Sequence, residues 1–285
     1  MTSLASEVEG AVLSAAASIM TLYIGYRKGF FSSWRSQAAP TNPPTLLLVL
    51  GSFAIYYFIG VSLPALLDRL LFFYSLDFMS ERIAKLTWIT FLTNGSTLLG
   101  LFILCRSIYR PIWKTIWRRQ GTSLKSDALY AFAACLISFP LVLFVGQLLE
   151  IAVYFIFHTF QLPDQIVIMF LKMTFGQPLC FFLATLSIIL FAPMIEEVIF
   201  RGFLQSYLRR YLGPNPAILL SSMLFAVFHY SNDQGQANIP ILGSLFILAY
   251  FLGFVYERRG SLFAPMILHA TFNAISTTNL YFLGD

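Results

Sequence analysis

The chain has 285 residues, 58% of them hydrophobic and only 11% charged, and its mean hydropathy is +0.75. Soluble domains carry about 25% charged residues, so the composition excludes an ordinary soluble protein and points to an integral membrane one. The net charge of +5 is no sign of a nucleic-acid partner, because the basic residues stand beside apolar runs, where they act as topology signals.

The expected fold is all-α: a polytopic membrane helix bundle of about eight transmembrane helices. Apolar runs fall at 11–26, 45–67, 88–105, 128–158, 178–208, 216–230, 239–256 and 262–283. Only Glu7 and Glu9 precede the first run, which therefore lacks the basic start of a cleavable signal sequence and reads as a retained span. The fourth and fifth runs exceed the ~20 residues of one straight crossing. The fourth either extends beyond the bilayer or breaks at Pro140. The fifth carries the adjacent pair Glu196 and Glu197 and emerges at Arg209-Arg210. Between these two, residues 166–175 end at Gly176-Gln177-Pro178 and read as an interfacial or re-entrant helix.

Basic groups follow span one (Arg27, Lys28, Arg35), span three (Arg106 to Lys125), span five (Arg209, Arg210) and span seven (Arg258, Arg259). With eight alternating spans, all four groups share one side, which the positive-inside rule makes the cytosolic side, with both termini opposite. Arg69, Arg82 and Lys85 run against this pattern, in the company of Asp68, Asp77 and Glu81. The stretch Arg106 to Lys125, with Trp113 and Trp117, reads either as a helix on an anionic membrane surface or as a basic connector. It divides an N-terminal membrane region, 1–127, from a second membrane domain, 128–283. Cys105, Cys135 and Cys180 lie in apolar runs and read as buried small hydrophobes.

The intramembrane polar residues carry the chemistry. A carboxylate in hydrocarbon is costly unless held, and two adjacent ones resist joint ionisation. Helical spacing puts Glu197 and Arg201 on one face, where they can pair, and turns Glu196 elsewhere. His229 ends the sixth run, and His269 and Asn273 share a face of the eighth. Each has a bland alternative: a structural ion pair, an interfacial histidine, an interhelical hydrogen bond. His158, near the outer end of span four, has no comparable partners and reads as interfacial. Together, Glu196, His229, His269 and Asn273 are the parts needed to hydrolyse an amide: a base for water, imidazoles to orient it or to bind a metal, and an oxyanion donor. No Gly-x-Ser-x-Gly elbow and no His-Glu-x-x-His helix is present.

Three motifs then carry a resemblance. They are Glu196-Glu197-Val-Ile-Phe-Arg201-Gly-Phe-Leu-Gln-Ser-Tyr-Leu208, Phe225-Ala-Val-Phe-His229, and Gly253 through Ser261 and Pro265 to His269-Ala-Thr-Phe-Asn273. In this order and spacing the chain resembles the CPBP intramembrane proteases, which include the type II CAAX prenyl endopeptidases and many bacterial relatives, over residues 128–283. The resemblance implies an intramembrane endopeptidase with its active site in a cavity open toward the cytoplasm. It implies Glu196, His229, His269 and Asn273 as catalytic residues, with Glu197, Arg201 and Phe225 in support. It leaves two mechanisms: Glu196 as a base without metal, or zinc held by Glu196, His229 and His269. Expected partners are membrane lipid and a membrane-associated protein substrate, which in the eukaryotic branch is a prenylated CAAX protein losing its last three residues. A multi-pass location follows, with the bacterial plasma membrane favoured over a eukaryotic endomembrane. The competing readings are a non-catalytic scaffold or immunity protein of the same fold and a proton-coupled transporter, which the lack of an internal repeat disfavours.

Overall fold

The structure is a computed structural model; it describes residues 4–32, 43–71, 79–108, 117, 123–159 and 162–283. All regular structure among the described residues is helical. In chain order the helices are α1 (Leu4–Arg27), α2 (Leu46–Leu71), α3 (Met79–Ile108), α4 (Leu124–Phe157), α5 (Ile166–Met173), α6 (Pro178–Leu212), α7 (Pro214–Phe228), α8 (Asn238–Arg259) and α9 (Phe263–Leu283). A 3₁₀ turn, Asn232–Ala237, leads into α8.

Six of these, α1 to α4, α6 and the stretch ending in α8, are long and apolar enough to cross a membrane. The expected count of about eight therefore exceeds the helices that meet both conditions. α7 has 15 residues, about 22 Å at 1.5 Å per residue, which is short of a ~30 Å hydrocarbon core. α9 has 21 residues, enough in length, but it carries His269, Asn273, Thr277 and Asn279 among its apolar residues. The two exceptions are the helices that deliver His229 and His269. Exposed apolar side chains such as Leu47, Phe58, Leu136 and Phe282 ring the bundle, as a lipid-facing surface requires. The protein is an integral, multi-pass membrane protein.

α4 runs unbroken for 34 residues through Pro140, so it overshoots the bilayer at about 51 Å rather than breaking. Ser123 caps its start, its hydroxyl accepting from the Ser126 N–H at 3.2 Å. α4 is the central post, packed against α1, α8 and α9. α1 meets it with small residues: Ser14 donates to the Gln147 side chain at 2.7 Å, and a Cβ on Gly10 would collide with the same amide. α8 divides two apolar cores. Leu248, Leu252 and Val255 face α4 and α9, while Ala249 and Tyr256 face α6 and α7. α2 pairs with α3, and both lean on α6.

The ends that carry basic residues come together. Arg258 donates to the Ser32 carbonyl at 3.0 Å, Arg259 reaches Asp127 at 2.9 Å, and Arg209 pairs with Glu257 at 3.1 Å. These contacts join the ends of α1, α6 and α8 to the start of α4, as a shared membrane face demands. Lys85, one of the basic residues against the pattern, is neutralised by Asp68 at 2.7 Å. Most of Arg106 to Lys125 lies outside the described residues. Trp117 within it accepts the Leu262 N–H at 3.2 Å and packs on Phe263.

Helices without a hydrophobic drive between them rely on small residues that allow close approach. Gly243 of α8 lies so near Leu149 of α4 that an added Cβ would overlap the leucine methyl, whereas nothing lies within 4 Å of a Cβ on Gly60. Gly243→Val should therefore destabilise detergent-solubilised protein by about 1–3 kcal/mol, read as a fall in Tm, while Gly60→Ala leaves Tm unchanged or raises it.

Candidate functional site

α6 is not a regular helix. Two π-helical turns, Ser187–Phe191 and Val198–Gln205, flank the α-helical segment Ala192–Glu197 that bears both glutamates. π turns re-aim side chains and recur at functional sites. The first has a visible cause. The Ala192 N–H turns to the Ser187 carbonyl, and the next residue, Pro193, has no N–H to give. The Ile188 carbonyl is thus left without a partner in its own helix, and Asn273 of α9 donates its Nδ2 to it at 2.9 Å. Asn273 makes the interhelical bond considered above as its bland alternative. An amide nitrogen carries two hydrogens, so one donor position remains beyond that bond.

The two glutamates divide as helical geometry anticipates. Glu197 and Arg201 are both wholly buried, with Nε and Oε2 3.1 Å apart. The hydrogen is not aligned along that line, so the contact is charge pairing rather than a directed hydrogen bond. Arg201 also donates from Nη2 to the Ala249 carbonyl at 2.9 Å and lies over the Phe225 ring at 4.8 Å. Glu197 gives its other oxygen, Oε1, to His269 Nδ1 at 2.9 Å.

Glu196 keeps 16% of its side chain exposed and sits beside both histidines. Its Oε1 is 3.9 Å from His229 Nε2 and its Oε2 is 3.8 Å from His269 Nε2. His269 therefore bridges the two glutamates rather than serving Glu196 alone. His229 is the residue on which α7 ends, and its Nδ1 lies 2.8 Å from the Phe225 carbonyl. A carbonyl only accepts, so Nδ1 carries the proton there, and in the neutral ring Nε2 presents a lone pair. The carboxylate acceptor at His269 Nδ1 sets the same tautomer. Both Nε2 atoms thus face the carboxylate of Glu196. Phe225 packs among them, its ring 4.7 Å from His229 and 6.0 Å from His269.

These are also the residues that would hold zinc. Tetrahedral bonds of about 2.0–2.1 Å place ligand atoms about 3.4 Å apart. The observed separations of 3.8 and 3.9 Å are wider, and no group of three or more His, Cys, Asp or Glu among the described residues closes around a metal position. As placed, these side chains would have to draw together by about 0.4–0.5 Å to bind zinc. A bridging water can also reach across these separations, with two hydrogen bonds of about 2.8 Å meeting at roughly a right angle.

Sequence reasoning missed the scaffold behind the site. Arg201, Gln205 and Arg209, four apart on α6, meet Ala249, Gly253 and Glu257, four apart on α8. Gln205 donates to the Gly253 carbonyl at 3.1 Å and to Glu257 at 3.3 Å. A Cβ on Gly253 would stand 2.7 Å from the Gln205 side chain, so glycine permits the approach. The i, i+4 repeat of polar residues on an apolar helix was the available signal. Asn238, also missed, braces the turn after His229 by bonding both the N–H and the carbonyl of Ser231. His158, in a left-handed conformation at φ 53, caps the end of α4 and is not part of the site.

The match to a protein family falls on this region. Residues 178–275 match the sequence model of the family described as "Type II CAAX prenyl endopeptidase Rce1-like", a segment that includes every site residue above. The CAAX prenyl protease 2 of Homo sapiens is 23% identical over 195 residues, covering 60% of this chain and 58% of the human protein. The chain thus spans less than two thirds of that relative. No solved structure matches. The family resemblance read from the motifs is supported by both matches.

Removing Arg201 would leave Glu197 as an uncompensated buried charge, a loss of about 3–5 kcal/mol. Arg201→Met should lower Tm sharply, and adding Glu197→Gln should recover part of the loss. The thermal double-mutant cycle checks this by its non-additivity.

Proposed function

Because the Rce1-like segment carries Glu196, both histidines and Asn273, we propose that the protein is an intramembrane endopeptidase acting on membrane-associated substrates with a CAAX-type C-terminus. One observation supports this reading above the others: the more accessible of the two carboxylates lies 3.9 and 3.8 Å from the Nε2 atoms of His229 and His269, a gap that one water can bridge to either ring.

The proposed chemistry follows from the tautomers. Water donates one hydrogen to the Glu196 carboxylate and the other to an imidazole Nε2, which aims an oxygen lone pair at the scissile carbonyl. Glu196 takes the proton as the oxygen–carbon bond forms. The tetrahedral oxyanion is met by the second Nδ2 hydrogen of Asn273, a kind of contact worth about 3–4 kcal/mol in a protease oxyanion hole. The carbon–nitrogen bond then breaks, and protonated Glu196 returns its proton to the leaving amine. Glu197 and Arg201 do no proton transfer; they hold the His269 ring. No step is routed through a metal.

Prenylated CAAX chemistry is proposed from the name of the human relative and the family match. The substrate would then be a farnesylated or geranylgeranylated peptide losing its last three residues.

Glu196→Gln keeps the volume and removes the base. Purified protein carrying it should cleave a fluorogenic farnesylated CAAX peptide about 10²–10⁴-fold more slowly at unchanged Tm. Wild-type rates should survive a strong chelator that strips zinc below stoichiometry. Full activity in Glu196→Gln, or complete loss on chelation with rescue by zinc, would overturn the mechanism.

A further inference from the structure

α2 lies far outside the segment that matches the family model, yet it reaches the site. Phe53, Tyr56 and Tyr57 are spaced three and four apart, so they share one face of that helix. All three rings close on Phe228, the last residue of α7 and the one immediately before His229. Their centroids lie 5.9, 5.2 and 5.8 Å from that of Phe228, in edge-on and tilted arrangements favoured by aromatic quadrupoles. Phe53 also makes an edge contact at 5.5 Å with Phe200, which follows the two glutamates on the second π turn of α6. Phe200 in turn meets Phe228 at 5.5 Å. One residue of α2 thus ties the end of α7 to the turn that positions Glu196.

His229 needs such a tie. Its Nδ1 bond runs to Phe225 within its own helix, so that bond orients the ring relative to α7 but not relative to α6. What fixes the 3.9 Å separation from Glu196 is how the end of α7 is held against α6. α7 is short, and the chain leaves its helical path at His229.

We infer that the α2 aromatic face, Phe53, Tyr56 and Tyr57, is a positioning element that holds His229 against Glu196 by clamping Phe228. The N-terminal region is on this account part of the catalytic unit rather than an added anchor. The inference rests on the proposed endopeptidase reading only for its kinetic consequence.

The test uses full-length protein in detergent, with Phe53→Leu, the double variant Phe53→Leu/Tyr56→Leu, and Tyr56→Phe, which keeps the ring. Carbethoxylation of each histidine by diethyl pyrocarbonate is followed by peptide mass mapping, a readout that needs no activity. The leucine variants should label His229 several-fold faster with His269 unchanged, and Tyr56→Phe should label like wild type. On the farnesylated CAAX peptide, the double variant should lose roughly tenfold or more in kcat, as displaced catalytic groups do, with KM nearly unchanged. If the double variant does not fold, Phe53→Leu alone carries the same expectations. Unchanged His229 labelling in folded leucine variants would overturn the inference, as would an equal effect in Tyr56→Phe. Wild-type protein that cleaves nothing would count against the endopeptidase reading while the labelling still decides the clamp.

Discussion

The buried ion pair between Arg201 and Glu197 is the constraint on which the site depends. Neither side chain touches solvent, and each charge is tolerable in an apolar bundle only because the other is there. With Oε2 of Glu197 beside the cation, its other oxygen meets His269 Nδ1. That bond selects the His269 tautomer and turns Nε2 toward Glu196. The same guanidinium donates to Ala249 of α8 and covers the ring of Phe225, whose carbonyl sets the tautomer of His229. One cation thereby orders groups on α6, α7, α8 and α9, while Glu196 stays partly accessible.

The surrounding packing serves that arrangement with devices suited to lipid. Without a hydrophobic drive between helices, close approach and polar contacts hold the bundle. Gly253 lets α8 come near enough to α6 for Arg201, Gln205 and Arg209 to reach its carbonyls and Glu257. The π turns break the regular bonding of α6 and are repaired by side chains. Asn273 satisfies the Ile188 carbonyl, and Ser206 donates to the Arg201 carbonyl at 3.0 Å. Irregular backbone in a membrane persists where protein groups take over the freed hydrogen bonds.

Much of this was legible in the sequence, for identifiable reasons. The pairing of Glu197 with Arg201, and the release of Glu196 from it, follow from angles around a helix. The gathering of basic ends follows from charge placement, and the structure joins them through Arg258, Arg259 and Arg209. Other features depend on information that periodicity does not hold. An apolar run reads α7 as a span but cannot show that it stops short, and it reads α9 as a span without weighing the polar residues His269, Asn273, Thr277 and Asn279. The π turns arise from bonding between Ala192 and Ser187 and from the missing donor at Pro193, which shift the register without altering composition. The aromatic closure of α2 on Phe228 joins residues some 170 positions apart, each of them, alone, an ordinary membrane phenylalanine or tyrosine.

The central claim is that water, with Glu196 as its base, and not the Glu196 carboxylate itself, attacks the scissile carbonyl. A single-turnover reaction with the farnesylated CAAX peptide in H₂¹⁸O reads this without ambiguity from slow exchange. The account predicts one ¹⁸O in the newly formed carboxylate at the first turnover and no label in the Glu196 side chain. First-turnover product lacking ¹⁸O, or label recovered in Glu196, would show attack by the carboxylate itself and contradict the account.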